Sequence, residues 1–439
     1  MTRLEDFLER HSKQWPTKQA IVDNSDTLTY HDMWERVQQR SREYQVLTTQ
    51  TVVVRATQTI AFVVDYLAAH LANKVFVPLE HDCTQNNVDN INALLSKSYI
   101  PNNVCDILFT TGTTGQPKGT MLSHENIIAN AENLIDAQHF NADTVFIVSG
   151  PLNHIGSLSK LWPTLVVGGT VVITDGMKDI DGFFHALDYP SQRLATFLVP
   201  ASIRILLQFG QKRLATYAHK IDFIETGAAP IAQVDMEQLC NTLPHTRLYN
   251  TYASTETGII ATHDFQNDGC MAGCLGKPMR HSNIHIDKEG YISCSGKTLM
   301  QGYVGDEALT QNVLHDGMCF THDIGQLDNE GRLHLSGRNS DIINVGGYKI
   351  NPIDIENAAT ASPQVADCIC IAAPHPVLGT TLRLLVVTND NKPLDKKNLA
   401  HFLATKLERH KVPQLYSQVD TIVRTYNGKL DRKHYENKP

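Results

Sequence analysis

Apolar positions recur at helical spacing from the start of the chain, where Leu4, Phe7 and Leu8 mark a short amphipathic helix. Met33, Trp34 and Val37 mark a second. Thr51-Val52-Val53-Val54 reads as a buried strand. Ile60, Val63, Tyr66, Leu67 and Leu71 then share one helical face, and Val75-Phe76-Val77 follows as a strand. Apolar strands recur near 145–149, 170–173, 195–199 and 222–225, with helical stretches between them. Strands alternating with helices predict an α/β fold built on largely parallel, doubly wound sheets.

The pattern changes near residue 270. From there to about 338 the segments are short and punctuated by Gly273, Gly276, Gly290, Gly296, Gly302, Gly317, Gly325, Gly331 and Gly337. Helical periodicity is lost, which predicts a small β-rich subdomain over about 270–338. Alternation resumes after Gly337-Arg338, with a helix from about Pro352, strands at 366–372 and 382–387, and a helix over 396–407. The chain thus divides into an N-terminal domain, 1–338, and a separate α+β C-terminal domain, 339–439, which is large enough to fold as a unit.

Composition narrows the class. With 439 residues, 42% of them hydrophobic and 19% charged, the chain can bury a large core and is neither disordered nor a disulfide scaffold. The formal net charge of −8, without a long basic run, argues against a nucleic-acid or anionic-membrane binder. Nine cysteines with no CxxC pair suggest a reduced, cytoplasmic protein. Cys270, Cys274 and Cys294 lack the spacing of a zinc site, and Cys368 and Cys370 fall on one strand face as core thiols. Met1 to Asp6 lack the apolar core of a signal peptide, and no apolar run approaches the ~20 residues of a membrane span.

The strand-like run Asp106-Ile107-Leu108-Phe109 leads into Thr110-Thr111-Gly112-Thr113-Thr114-Gly115-Gln116-Pro117-Lys118-Gly119. Glycines let the backbone turn tightly and present N–H groups to an anion, threonines add hydroxyl donors, and Lys118 adds charge, a combination suited to a polyphosphate. Gly119 follows the lysine where a Walker A loop has Ser or Thr. Ser123 is placed to cap the following helix, whose face carries Ile127, Ile128, Ala131 and Leu134. Farther on, Tyr252-Ala253-Ser254-Thr255-Glu256 sets an aromatic ring, a hydroxyl and a carboxylate within five residues of a strand end. Glu256 is a hard oxygen ligand suited to Mg²⁺.

These motifs resemble the adenylate-forming enzymes, which include acyl- and aryl-CoA synthetases, adenylation domains of peptide synthetases and luciferases. The likeness runs from about Phe109 to Arg432, with the elements in the family order. It implies ATP-dependent activation of a carboxylic acid as an acyl-adenylate, transfer to a thiol, and a large N-terminal domain followed by a small mobile one. By this resemblance Thr110, Thr111, Gly112, Thr113, Thr114 and Lys118 cradle the phosphates, and Gly227-Ala228 lies against adenine. Tyr252 stacks on the purine, Thr255 donates to phosphate, and Glu256 binds Mg²⁺. Asp323 accepts the ribose hydroxyls and Arg338 donates to ribose or phosphate. Ala253 and His322 stand where the family usually has glycine.

Pro151-Leu152-Asn153-His154 resembles the mouth of the acyl pocket, with His154 gating or lining it. Amino-acid-activating relatives place an aspartate here; residues 151–158 contain none, which favours an acid without an α-amine. Lys429, in Asn427-Gly428-Lys429, resembles the lysine that enters for adenylation. Gly346-Gly347 resembles the channel for the thiol arm, and Ser340 occupies the hinge position. The implied reactants are ATP with Mg²⁺, a small carboxylic acid and coenzyme A. A carrier-protein phosphopantetheine is the alternative thiol, and a degenerate nucleotide-binding protein is the more distant reading.

Overall fold

The computed structural model describes residues 2–111, 117–177, 179–338, 341–345, 348–375, 379–389, 392–425 and 430–436. Gly112, Thr113, Thr114, Ser340, Gly346, Gly347 and Lys429 lie outside these residues, as do the side chains of Thr111 and Arg338.

The expected alternation is realised as two sheets with parallel cores. In the 14-stranded sheet, Gln19–Val22, Thr170–Ile173, Val145–Val148, Leu194–Phe197, Ile221–Gly227 and Arg247–Ser254 are parallel neighbours in that order. In the five-stranded sheet, Thr51–Arg55, Val75–Leu79 and Val104–Thr111 are parallel, and Pro117–Ser123 turns back antiparallel to the last of them. Val75–Leu79 and Val145–Val148 are buried at every position, as strands covered on both faces must be.

The helix His124–Gln138 starts where the sequence places it. Ser123 Oγ accepts from the Asn126 amide at 3.2 Å and Asn126 Oδ1 accepts from the Ser123 amide at 2.8 Å, a reciprocal cap. The segment after residue 270 is β-rich but does not close on itself. Cys274–Pro278 extends the large sheet through Gly258–Asp264, while Gly302–Tyr303 pairs with Pro117–Ser123 of the other sheet. It also contains one helix, Glu307–Val313, too short to show in the periodicity. Gly119 is required at that second junction, because a Cβ there would stand 2.6 Å from Val304 Cγ1.

Beyond residue 341 the chain buries its own core. Ile350, Ile355, Ala359, Cys370, Leu384, Val386 and Leu399 pack in a cluster separate from those of the preceding chain. Its frame is the sheet Val365–His375, Gly379–Thr388 and Leu415–Gln418, covered by helices Pro352–Thr360 and Lys396–Ala404. Cys368 and Cys370 are buried there, as their strand spacing predicts.

Candidate active site

Strand direction positions the site. Phe197, Gly227 and Ser254 end neighbouring strands of the large sheet, and the segment to His154 follows the carboxyl end of Val145–Val148. Ligand crevices of open α/β sheets form at such carboxyl ends. Thr110 and Lys118 are cross-strand partners on the two arms that bracket residues 112–116.

Lys118 Nζ lies 5.7 Å from the centroid of the Tyr303 ring, within cation–π reach. The Tyr303 hydroxyl donates to Oε1 of Glu256 at 2.8 Å. Tyr303 is only 5% exposed, and burial with the adjacent carboxylate pushes its phenol pKa far up, so it remains a donor. Glu256 itself is half-buried, and its Oε2 makes no hydrogen bond among the described residues. The turn carrying Thr255 and Glu256 is clamped. Ser254 Oγ accepts from the Thr257 amide at 3.0 Å, and the Glu256 carbonyl accepts from the Met300 amide at 2.8 Å.

Tyr252 is 8% exposed, its ring packed in a cluster with Ile260, Leu275, Ile292 and Cys294. Its hydroxyl donates to Oδ2 of Asp323 at 2.7 Å. The ring expected to stack on a purine therefore also orients the carboxylate expected to hold the ribose. Asp323 and Arg338 are cross-strand partners of the hairpin Met318–Leu327 and Leu333–Arg338, so their separation by 15 positions in sequence becomes adjacency in space. His322 is exposed between Thr321 and Asp323.

At the Gly227 turn, a Cβ would sit 2.8 Å from the Thr251 carbonyl oxygen, so only glycine lets the two strand ends approach. Ala228 follows with φ of 67°, a left-handed conformation that strains a non-glycine residue by about 1–2 kcal/mol. His154 is the N-cap of the helix Ile155–Val167, and its carbonyl accepts from the Ser157 and Leu158 amides at 3.1 and 2.9 Å. The Phe197 ring lies between this helix and the turn, 3.2 Å from a Cβ built on Gly156 and 3.6 Å from one on Gly227. Beside it, buried Lys160 donates to Glu225 Oε1 at 2.8 Å and stands 5.1 Å from the same ring centroid. Burial lowers the lysine pKa, and Glu225 opposes that shift.

In the C-terminal segment, Arg424 and Leu430 pair across residues 426–429. Arg432 then grips Glu356 with both terminal nitrogens, at 2.7 and 2.9 Å, and reaches Asp341 Oδ2 at 3.3 Å. Burial pushes the Glu356 carboxyl pKa up and the guanidinium opposes it. Removing one partner of such a buried pair costs about 3–5 kcal/mol. Asp367 connects the two parts of the chain, accepting from Arg204 at 2.9 Å and from Arg424 at 2.8 Å.

Residues 88–304 match the AMP-binding enzyme family and residues 354–429 match its C-terminal domain. The chain is an AMP-binding enzyme. This AMP-binding enzyme is 28% identical over 341 residues to a feruloyl-CoA synthase of Amycolatopsis sp, spanning 74% of this chain and 68% of that one. It is 30% identical over 339 residues to an indoleacetate–CoA ligase of Aromatoleum aromaticum, spanning 74% and 65%. Its fold matches ATP-bound MatB of Rhodopseudomonas palustris with a TM-score of 0.87 at 22% identity, over 99% of both chains. It also matches o-succinylbenzoate CoA synthetase of Bacillus subtilis with its acyl-adenylate intermediate, with a TM-score of 0.85 at 20% identity, over 100% of this chain and 99% of that one. No described helix of the AMP-binding enzyme is long and apolar enough to cross a membrane.

Three features of this AMP-binding enzyme escape sequence reasoning. Tyr303 sits 47 positions from the carboxylate it orients, Glu356 is 76 from Arg432, and Lys160 is 65 from Glu225. An isolated tyrosine after a glycine carries no local signal. A lysine within the apolar run of the helix Ile155–Val167 was the one visible oddity.

Proposed function

We propose that this enzyme activates a carboxylic acid with ATP as an acyl-adenylate and transfers the acyl group to coenzyme A. The observation that carries this reading is the line Lys118–Tyr303–Glu256, which links the phosphate strand to the end of a strand in the other sheet. A carboxylate oxygen bonds to the α-phosphorus of ATP, the bond from that phosphorus to the bridging oxygen breaks, and pyrophosphate leaves. The thiol sulfur then bonds to the acyl carbon, AMP leaves, and the thiol proton goes to solvent. The chain's part is positioning and charge stabilisation rather than nucleophilic attack.

Lys118, with Thr110 and the loop residues Thr111, Gly112, Thr113 and Thr114, holds the phosphates. Thr255 donates to phosphate, and Lys429 neutralises charge as adenylation proceeds. Gly227 and Ala228 face adenine; Asp323 and Arg338 hold the ribose. His154 lines the acid channel, and Gly346-Gly347 borders the thiol channel. A half-buried carboxylate with one oxygen held by Tyr303 fits Mg²⁺, which takes one protein carboxylate and substrate phosphates. When bound, the ion would neutralise phosphate charge. The domain division lies at 338/339, with Ser340 as hinge. Nine free thiols suit a reducing cytoplasm.

The acid is a simple aryl or aliphatic carboxylate, because residues 151–158 offer no partner for an α-ammonium. Pyrophosphate release across a panel of aryl, aliphatic and amino acids tests this. A free amino acid with the highest kcat/KM would overturn the substrate class, and no acid-dependent release would overturn the function. Free coenzyme A against carrier proteins tests the thiol.

A further inference from the structure

A second cluster of chemically active side chains lies apart from the residues assigned above. Glu5 on the helix Leu4–Gln14, His70 near the end of the helix Ile60–Leu71, and His124 at the start of His124–Gln138 converge beside the strand Val104–Thr111. One ligand atom from each lies within 4.8 Å of the others. Glu5, His70 and His124 are 2%, 0% and 8% exposed. Glu5 Oε2 and His124 Nδ1 make no hydrogen bond among the described residues, and Glu5 Oε1 and His70 Nδ1 meet each other at 3.3 Å. Buried polar atoms are almost always satisfied, so two unpartnered atoms beside this pair call for an explanation.

The surroundings supply one. His70 Nε2 is 2.8 Å from Asp106 Oδ1, which fixes the ring and leaves Nδ1 facing Glu5 Oε1 at 3.3 Å. Asp106 is itself anchored, since Tyr66 donates to its other oxygen at 3.0 Å and Trp162 donates to Tyr66 at 2.9 Å. A carboxylate behind a histidine is the usual outer support of a metal-bound imidazole. The His70 and His124 rings meet edge to face, at 82° with centroids 5.1 Å apart. Arg3 lies near the cluster, its guanidinium donating to Asn73 Oδ1 at 2.8 Å and to the His70 carbonyl at 3.5 Å. Cys105, also adjacent, directs its thiol to the Leu122 carbonyl.

We propose that Glu5, His70 and His124 form a structural site for a divalent transition metal of the zinc type. Two imidazoles and one carboxylate select zinc, cobalt or nickel over magnesium and calcium, which take oxygen ligands. The ion would join three helices around the strand that leads to the phosphate loop, fastening the N-terminal helix to the nucleotide-binding half.

Metal content of the purified full-length enzyme tests this, with zinc and cobalt ions as probes. We expect about one zinc per chain after exhaustive dialysis. After chelation, added Zn²⁺ should raise the melting temperature by several degrees where Mg²⁺ does not, and Co²⁺ should give visible d–d absorption. Glu5→Gln and His124→Ala should each lose the metal and the Zn²⁺-dependent shift, while Cys83→Ser keeps both. Glu5→Gln preserves shape, so it answers if His124→Ala fails to fold. Chelated wild-type enzyme with neither a Zn²⁺ shift nor a Co²⁺ band would overturn the site, leaving a closed charge network. Equal metal retention in Glu5→Gln would overturn it as well.

Discussion

The Tyr252 hydroxyl donates to Oδ2 of Asp323 across 2.7 Å, joining two segments 71 residues apart. The phenol is held protonated by burial and by the carboxylate, so it donates throughout the working pH range. In Tyr252→Phe the carboxylate loses its orienting donor while the ring stays packed. Hydrogen bonds to charged groups contribute about 1.5–3 kcal/mol. We expect KM for ATP in pyrophosphate exchange to rise about tenfold with kcat changed much less. A selective loss of kcat would show that Tyr252 does not act through ground-state binding of the ribose.

Tyr303 stands in the same relation to Glu256. Tyr303→Phe should weaken metal binding by leaving the carboxylate free to rotate. The Mg²⁺ concentration for half-maximal exchange should rise several-fold, and saturating Mg²⁺ should restore most of the rate. An unchanged Mg²⁺ titration would remove Glu256 from the metal.

Lys429→Ala should abolish acid-dependent ATP–pyrophosphate exchange and largely spare conversion of supplied acyl-adenylate to thioester. The lysine has charge to stabilise only in the first transition state. Equal loss of both half-reactions would count against that role.

Ser340→Pro should slow one half-reaction far more than the other, while Ser340→Ala and Ser340→Asp leave both close to wild type. Proline fixes φ near about −65° and restricts Asn339 before it, and a hinge must absorb backbone rotation. Wild-type rates for Ser340→Pro in both assays would move the hinge elsewhere.

Arg204 donates to Asp235 and to Asp367, and Asp367 also accepts from Arg424. Arg424 still serves Asp367, but buried Asp235 loses both of its hydrogen bonds from Arg204, so Arg204→Ala should cost about 3 kcal/mol in stability. Its effect should appear in the ratio of the two half-reaction rates, since this contact crosses between the two parts of the chain. Raising ionic strength should move the wild type in the same direction as the mutation. A ratio indifferent to both would make the contact incidental.

Local pattern determined much of this protein. The strands Thr51–Arg55, Val75–Leu79 and Val145–Val148 and the helix Ile60–Leu71 follow from runs and periods of apolar residues, because sheet and helix burial repeat at fixed intervals along the chain. The Ser123–Asn126 cap spans four residues and is equally legible. The order of the glycine-rich loop, the Thr255-Glu256 turn and the Gly337-Arg338 step revealed the family, since each motif is contiguous. Tertiary structure alone decided which side chains orient those motifs. Tyr303 reaches Glu256, Arg432 grips Glu356, and Glu5 meets His70 only because separate strands and helices pack together. Such pairs depend on register and crossing geometry between distant segments, and no period along the chain encodes them.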